Sequence, residues 1–234
     1  MNNNQICKSC NSNNPLFELN CRNCKSYLRD RVFNIDFIKV FLKLIESPQS
    51  AFRSIIFSEH KNFVLLLNLA IPVKLLIFKK WFGVYLYDSS AHSIVLIIDY
   101  LIHLTIYSSL VYIFSLILRF LTQRSNNEAR LRDNYSILIY ASIPNLVGAV
   151  ILFPFELILF GNFLFSANPS PFVFREVQAY LMLIFESILI IWSFLLTFFA
   201  IKVQTNKNIV SFIFSLSFNG INFLMLIVIS YFLR

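Results

Sequence analysis

Between residues 63 and 234 the chain runs through five long apolar stretches broken by short polar ones. About 20 consecutive apolar residues form a helix long enough to cross roughly 30 Å of hydrocarbon. In that solvent every backbone N–H and C=O must be satisfied within the segment, so a helix is the default form for each stretch. The composition agrees: 57% of residues are hydrophobic, 17% aromatic and only 14% charged, with 27 phenylalanines and four glycines. A soluble domain carries about 25% charged residues. A soluble helical core would also show a polar face at every turn, and these stretches do not.

The spans are expected at about 63–81, 94–118, 136–160, 177–201 and 209–232. The first is interrupted by Pro72 and Lys74, and the third by Pro144 and Pro154. Lys74 must snorkel to the interface or face protein. No apolar segment of a signal peptide lies within the first 30 residues, so the first span is expected to direct insertion. Lys and Arg concentrate in 1–62, 119–134 and 202–208. Fifteen lie there, against four (Lys79, Lys80, Arg175 and Arg234) on the opposite side. Positively charged loops stay cytoplasmic, which predicts a cytosolic N-terminus and an external C-terminus.

Four cysteines precede the spans: Cys7-Lys8-Ser9-Cys10 and Cys21-Arg22-Asn23-Cys24. A CxxC turn presents two thiolates to one ion, and two such turns complete a tetrahedral four-cysteine site, the closed form expected of structural zinc. Leu16, Phe17 and Leu19 could supply a strand and a minimal core between them. Disulfides would require an oxidising compartment, whereas the predicted cytosolic side keeps thiols reduced. A thioredoxin-like redox site would need a βαβ context that is absent. The basic residues Lys8, Arg22, Lys25, Arg29 and Arg31 could suit nucleic acid, but anionic lipid explains a basic segment beside a membrane more simply.

Residues 35–46 are amphipathic, with Asp36, Lys39, Lys43 and Glu46 on one stripe and a wide apolar sector opposite. Ser47-Pro48 reads as an N-cap and first helical proline opening a second short helix. The chain is thus expected to be an all-α membrane protein. Its divisions are a zinc ribbon (1–31), amphipathic interfacial helices (32–62) and a five-span transmembrane bundle (63–234).

Within the spans, Asp99, His103, Glu156 and Glu186 are costly to place in hydrocarbon and mark either an ion path or a paired polar cluster. Asp99 and His103 are four apart and share a helix face. Ser211, Ser215 and Asn219 recur every four residues, as in a close-packing face. No HExxH, GxSxG, phosphate-loop or GxGxxG pattern occurs, so no enzymatic activity is expected. His60, His92 and His103 lack ligand spacing.

The order of these features resembles a known family. The cysteine module is followed by Tyr27-Leu28-Arg29-Asp30-Arg31-Val32, by residues 45–52 (Ile-Glu-Ser-Pro-Gln-Ser-Ala-Phe), by Glu59-His60-Lys61-Asn62 and by the spans, the third carrying Tyr140-Ala141-Ser142-Ile143-Pro144. Over nearly its whole length the chain resembles the Yip (Ypt-interacting protein) family in its bacterial form with an N-terminal zinc ribbon. The resemblance implies five spans, a cytosolic N-terminus and the bacterial inner membrane, and supplies no catalytic residue. Eukaryotic members are implicated in vesicle traffic and small-GTPase binding. The leading expectation is an adaptor or membrane organiser presenting the zinc ribbon and the 119–134 loop to a cytosolic protein. The alternative is a small transporter or channel using the intramembrane acids. Expected partners are the bilayer, a cytosolic protein and, as an option, a second copy of the chain, with nucleic acid disfavoured.

Overall fold

The structure is a computed structural model that describes residues 4–15, 18, 20–28, 35–58, 60–87, 96–123, 129–166 and 168–232. Leu16, Phe17, Leu19, Arg29, Arg31, Glu59, His92, Arg234 and the 124–128 part of the expected loop lie outside the described residues.

The N-terminal module is two tight hairpins. Strands β1 (Asn4–Ile6) and β2 (Asn13–Pro15) pair antiparallel, and an Asn20–Tyr27 bridge closes the second hairpin. Helix α1 (Phe37–Glu46) starts where the Asp36 side chain accepts from the Lys39 N–H at 3.3 Å. Helix α2 (Pro48–Phe57) starts on proline; Ser47 occupies the expected cap position, but its side chain makes no capping bond. Among the described residues five long elements follow, with one shorter helix between them. First come α3 (Val64–Tyr87), α4 (Leu96–Gln123), the shorter α5 (Leu131–Ala141) and then a broken segment. That segment consists of α6 (Ile143–Val147), a π-helical turn (Gly148–Leu152), α7 (Phe153–Phe160) and a 3-10 turn (Gly161–Phe165). The one-turn α8 (Pro171–Phe174) leads into α9 (Glu176–Thr205) and α10 (Asn208–Phe232).

Among the described residues, four segments are long and apolar enough to cross a membrane: Leu96–Thr122, Ile143–Phe165, Glu176–Thr205 and Asn208–Phe232. Ile184, Ile188, Ile191 and Leu195 line an exposed stripe of α9, and Ile213, Leu216 and Leu224 are exposed on α10. So much contiguous exposed apolar surface is unfavourable in water and ordinary in lipid. Helix α3 has the length of a span, but Lys74, Lys79 and Lys80 make it too charged to qualify on composition. The third expected span is displaced. Its start, 136–141, belongs to the separate helix α5, and the apolar segment begins at Ile143, because Pro144 starts a new helix after Ser142. The expected 119–134 loop is also shorter, since α4 persists to Gln123 and α5 begins at Leu131.

The chain falls into two compact units. The first comprises Met1–Leu65, Val111–Ala141 and Leu196–Ser215. In it α1 packs on α2 and α2 on α5, burying Phe52, Ile55, Ile56 and Ile137–Tyr140 completely. Phe114 and Phe214 meet edge to face at 5.2 Å. The second unit comprises Leu66–Leu110, Ser142–Leu195 and Leu216–Arg234. There α3 and α4 run antiparallel, joined by Asn68–Ser108 at 2.9 Å and Lys79–Asp99 at 2.8 Å. Ser230 of α10 donates to the Lys79 carbonyl at 3.1 Å.

Candidate functional site

The cysteines of the first unit sit on two near-identical knuckles. In each, the first cysteine's carbonyl accepts from the residue four on: Asn11 to Cys7 and Lys25 to Cys21, both at 2.9 Å. Asn11 and Lys25 have φ of 53° and 57°, the left-handed turn that aims the second thiol back beside the first. The first cysteine's N–H donates to a serine carbonyl five residues on, Ser12 at 3.0 Å and Ser26 at 2.8 Å.

All four sulfurs are free thiols lying within 4.8 Å of one another. Across the knuckles Cys7–Cys24 and Cys10–Cys21 are both 3.5 Å apart. Sulfurs about 2.3 Å from a tetrahedral ion stand roughly 3.8 Å apart, so the four thiols fit a single metal with little movement. The serines stitch the knuckles together. Ser26 Oγ lies 3.1 Å from Cys7 and 3.0 Å from Cys24, and Ser12 Oγ lies 3.0 Å from both Cys10 and Cys21.

These contacts favour thiolates. The Ser26 hydroxyl, ahead of nearby backbone N–H groups, pulls Cys7 down to about 7 against the effect of burial. The Cys24 backbone N–H and then the Ser12 hydroxyl pull Cys21 down to about 5. Cys24 moves up: Ser26 favours its thiolate, but the neighbouring sulfurs and burial outweigh that. Leu28 packs against Cys7, Cys21 and Cys10 as the small apolar floor of the module. Sequence reasoning passed over Ser12 and Ser26, although the repeated pattern Cys-x-x-Cys-x-Ser carries them.

The Glu59-His60-Lys61-Asn62 stretch also acquires a structural meaning. Lys61 is buried and donates to the carbonyls of Ile55, Ile56 and Ser58, the last two at 3.0 Å, and to Ser58 Oγ at 3.2 Å. It thereby caps the C-terminus of α2, where exposed carbonyls favour a cation. Its ammonium also lies 3.3 Å from Asp133 at the start of α5. Asn62 brackets the Ile35 backbone, accepting from its N–H at 3.1 Å and donating to its carbonyl at 3.3 Å. Lys61 and Asn62 clamp the two amphipathic helices.

In the second unit the intramembrane acids fall into two groups. Asp99 pairs with Lys79, and His103 Nδ1 lies 2.8 Å from the Asp99 carbonyl and 3.4 Å from its carboxylate. The shared helix face of Asp99 and His103 is therefore real, and Lys79 is the partner the sequence did not reveal. Lys74 faces protein, being 1% exposed and ion-paired with Glu186. Both line a cavity of about 310 Å³ that also contains Glu156, Ser142 and Asn145. Gly148, in the π-helical turn, leaves room for Lys74 as placed, since a Cβ there would lie 2.9 Å from Lys74 Cε and the end of the lysine would have to shift. Asp99 and His103 are not among the described residues that line the cavity.

No protein-family model matches the chain, and neither a curated protein nor a solved structure does.

Proposed function

We propose that the chain is a non-enzymatic multi-pass protein of the bacterial inner membrane, of the Yip type, that presents a zinc-stabilised N-terminal module to a cytosolic protein partner. The observation that carries this reading is the gathering of four thiols on two matched knuckles ahead of long apolar helices. Cys7, Cys10, Cys21 and Cys24 would hold the ion. An all-thiolate tetrahedral set suits zinc or an iron–sulfur centre, and the closed set with no spare position suits a structural role. Bound there, the metal supplies the fold of a segment too small to build its own core.

Helix α3 is read as a further span, the first in chain order, which brings the number to five. Its lysines disqualify it on composition, but Lys74 and Lys79 are each neutralised by a carboxylate within the same unit. Twenty-four residues at about 1.5 Å per residue are enough to cross. An odd number of spans puts the termini on opposite sides, with the N-terminus in the cytosol as the charge distribution predicts. Ile38, Leu42 and Ile45 stand exposed on one side of α1 while Val40 and Leu44 are buried. That exposed apolar strip suits a helix lying on the cytosolic face of the bilayer. The alternative of an ion channel is weakened because Asp99 and Glu186 are already paired with lysines.

Two measurements test the reading. Metal analysis of the purified full chain should give one zinc per chain, and a reporter fused at residue 234 should be active only outside. A metal-free, disulfide-bonded module or a cytosolic C-terminus would overturn it. Cross-linking in native membranes through the N-terminal module should capture a cytosolic protein, and capture that persists after metal removal would separate the partner from the knuckles.

A further inference from the structure

The cavity of the second unit has an uneven charge count. Lys74 brings one ammonium, while Glu186 and Glu156 bring two carboxylates. Lys74 is paired with Glu186. Glu156 is 9% exposed, lines the cavity, and has no hydrogen-bond or ion-pair partner among the described residues. A carboxylate this far from water is costly without a counter-ion. The rest of the wall is mainly apolar and aromatic, including Phe78, Trp81 and Phe172. A space of about 310 Å³ lies at the lower end of the roughly 300–1,000 Å³ typical of small-molecule sites.

We propose that this cavity binds a small amphipathic amine, with its ammonium on Glu156 and its apolar body against the aromatic wall. The charge count selects the sign, since an anion would meet an excess carboxylate. The wall selects the body: hard metal ions favour several carboxylates gathered on one point, and among the described residues no three acidic or histidine side chains gather here, whereas an organic cation gains from carboxylate and aromatic faces together. The Lys74–Glu186 pair holds the second carboxylate out of competition, and Gly148 leaves room for Lys74 to reach it. Nothing in this inference depends on the zinc module or on its partner.

The test compares three probes of one shape on the full chain in lipid nanodiscs, by equilibrium dialysis against empty nanodiscs. Phenylbutylamine should bind saturably with one molecule per chain. Phenylbutanol should bind at least about tenfold more weakly, the worth of one charge-assisted contact, and phenylbutyrate should show no saturable binding. Glu156→Gln should weaken the amine by about tenfold or more and leave the alcohol unchanged. Ala179→Phe, which fills the cavity from α9, should abolish saturable binding of both. Equal binding of amine and alcohol would show an apolar site for lipid-like molecules and overturn the proposal. So would undiminished amine binding in Glu156→Gln, or no saturable amine binding at all, which would mean that Glu156 simply holds a proton. The probe comparison is made on the unaltered chain, so it decides even where a variant fails to insert.

Discussion

Two buried lysines, Lys61 in the first unit and Lys74 in the second, are alike in exposure and opposite in surroundings. Lys61 meets three carbonyls, a hydroxyl and the Asp133 carboxylate, so its ammonium is used up by structure. Lys74 meets one carboxylate, stands over the Phe78 ring at 4.6 Å, and shares a cavity with a second carboxylate that has no partner among the described residues. A buried charge is therefore not in itself a sign of function. The informative quantity is what remains after neighbours are counted. The first unit closes its polar groups on themselves at Lys61 and at the cysteine knuckles, whereas the second leaves Glu156 over.

The severest test of the closed side is metal removal. If the knuckles are held by an ion, that ion carries most of the folding energy of residues 4–28, and structural zinc contributes about 10–16 kcal/mol in comparable modules. Chelation, or Cys21→Ser, should abolish amide protection around both knuckles while leaving helical content unchanged. A module that keeps its protection without metal would show that the serine contacts and Leu28 suffice.

Lys61→Met comes next. It removes the ammonium that lies 3.3 Å from the Asp133 carboxylate, whose side chain is only 2% exposed, and uncaps α2. Breaking a buried pair from one side costs about 3–5 kcal/mol. A matching fall should appear in thermal unfolding of the detergent-solubilised chain, and Lys61→Met with Asp133→Leu should recover part of it. If Lys61→Met costs nothing measurable, its ammonium is not used up by structure, and the contrast between the two lysines fails.

How much of this could be read from the residues follows from the range of each interaction. The apolar segments, the CxxC pairs and the Asp99–His103 face are local patterns, set by helical period or by a few residues of spacing. The amphipathic α1 is equally local, down to its Asp36 cap. Lys61 was legible only as part of a short motif, because its role depends on where α2 ends and α5 begins. Lys74–Glu186 and Lys79–Asp99 join different helices, and no periodicity within one helix announces a partner on another. The charge of α3 shows the same limit, since the carboxylates paired with Lys74 and Lys79 lie on other helices. Gly148 carried no signal at all, since its meaning lies in the lysine it admits. The displaced third span shows a different limit. Pro144 was visible, but whether it interrupts a helix or begins one depends on the turn at Ser142.

The finest distinction lies within the cavity, between its two carboxylates. Glu186 carries the ion pair with Lys74, so Glu186→Gln should cost about 1.5–3 kcal/mol, the range for a hydrogen bond to a charged group. The lower end is expected if Lys74 swings to Glu156. Glu156→Gln removes a carboxylate that makes no hydrogen bond or ion pair among the described residues, and it keeps shape and hydrogen-bonding capacity. In the absence of ligand it should cost nothing and could raise stability by up to about 1 kcal/mol. The two variants therefore separate in sign although both remove one carboxylate from the same space. The double variant sharpens this further. With neither carboxylate charged, Lys74 is stranded, and the loss should exceed the sum of the two single effects, as for groups that share a partner. Thermal unfolding of the three variants side by side measures all of these quantities. A clear loss in Glu156→Gln, equal to that in Glu186→Gln, would mean that both carboxylates hold Lys74. The second unit would then be as closed as the first, and the asymmetry between the two lysines would disappear.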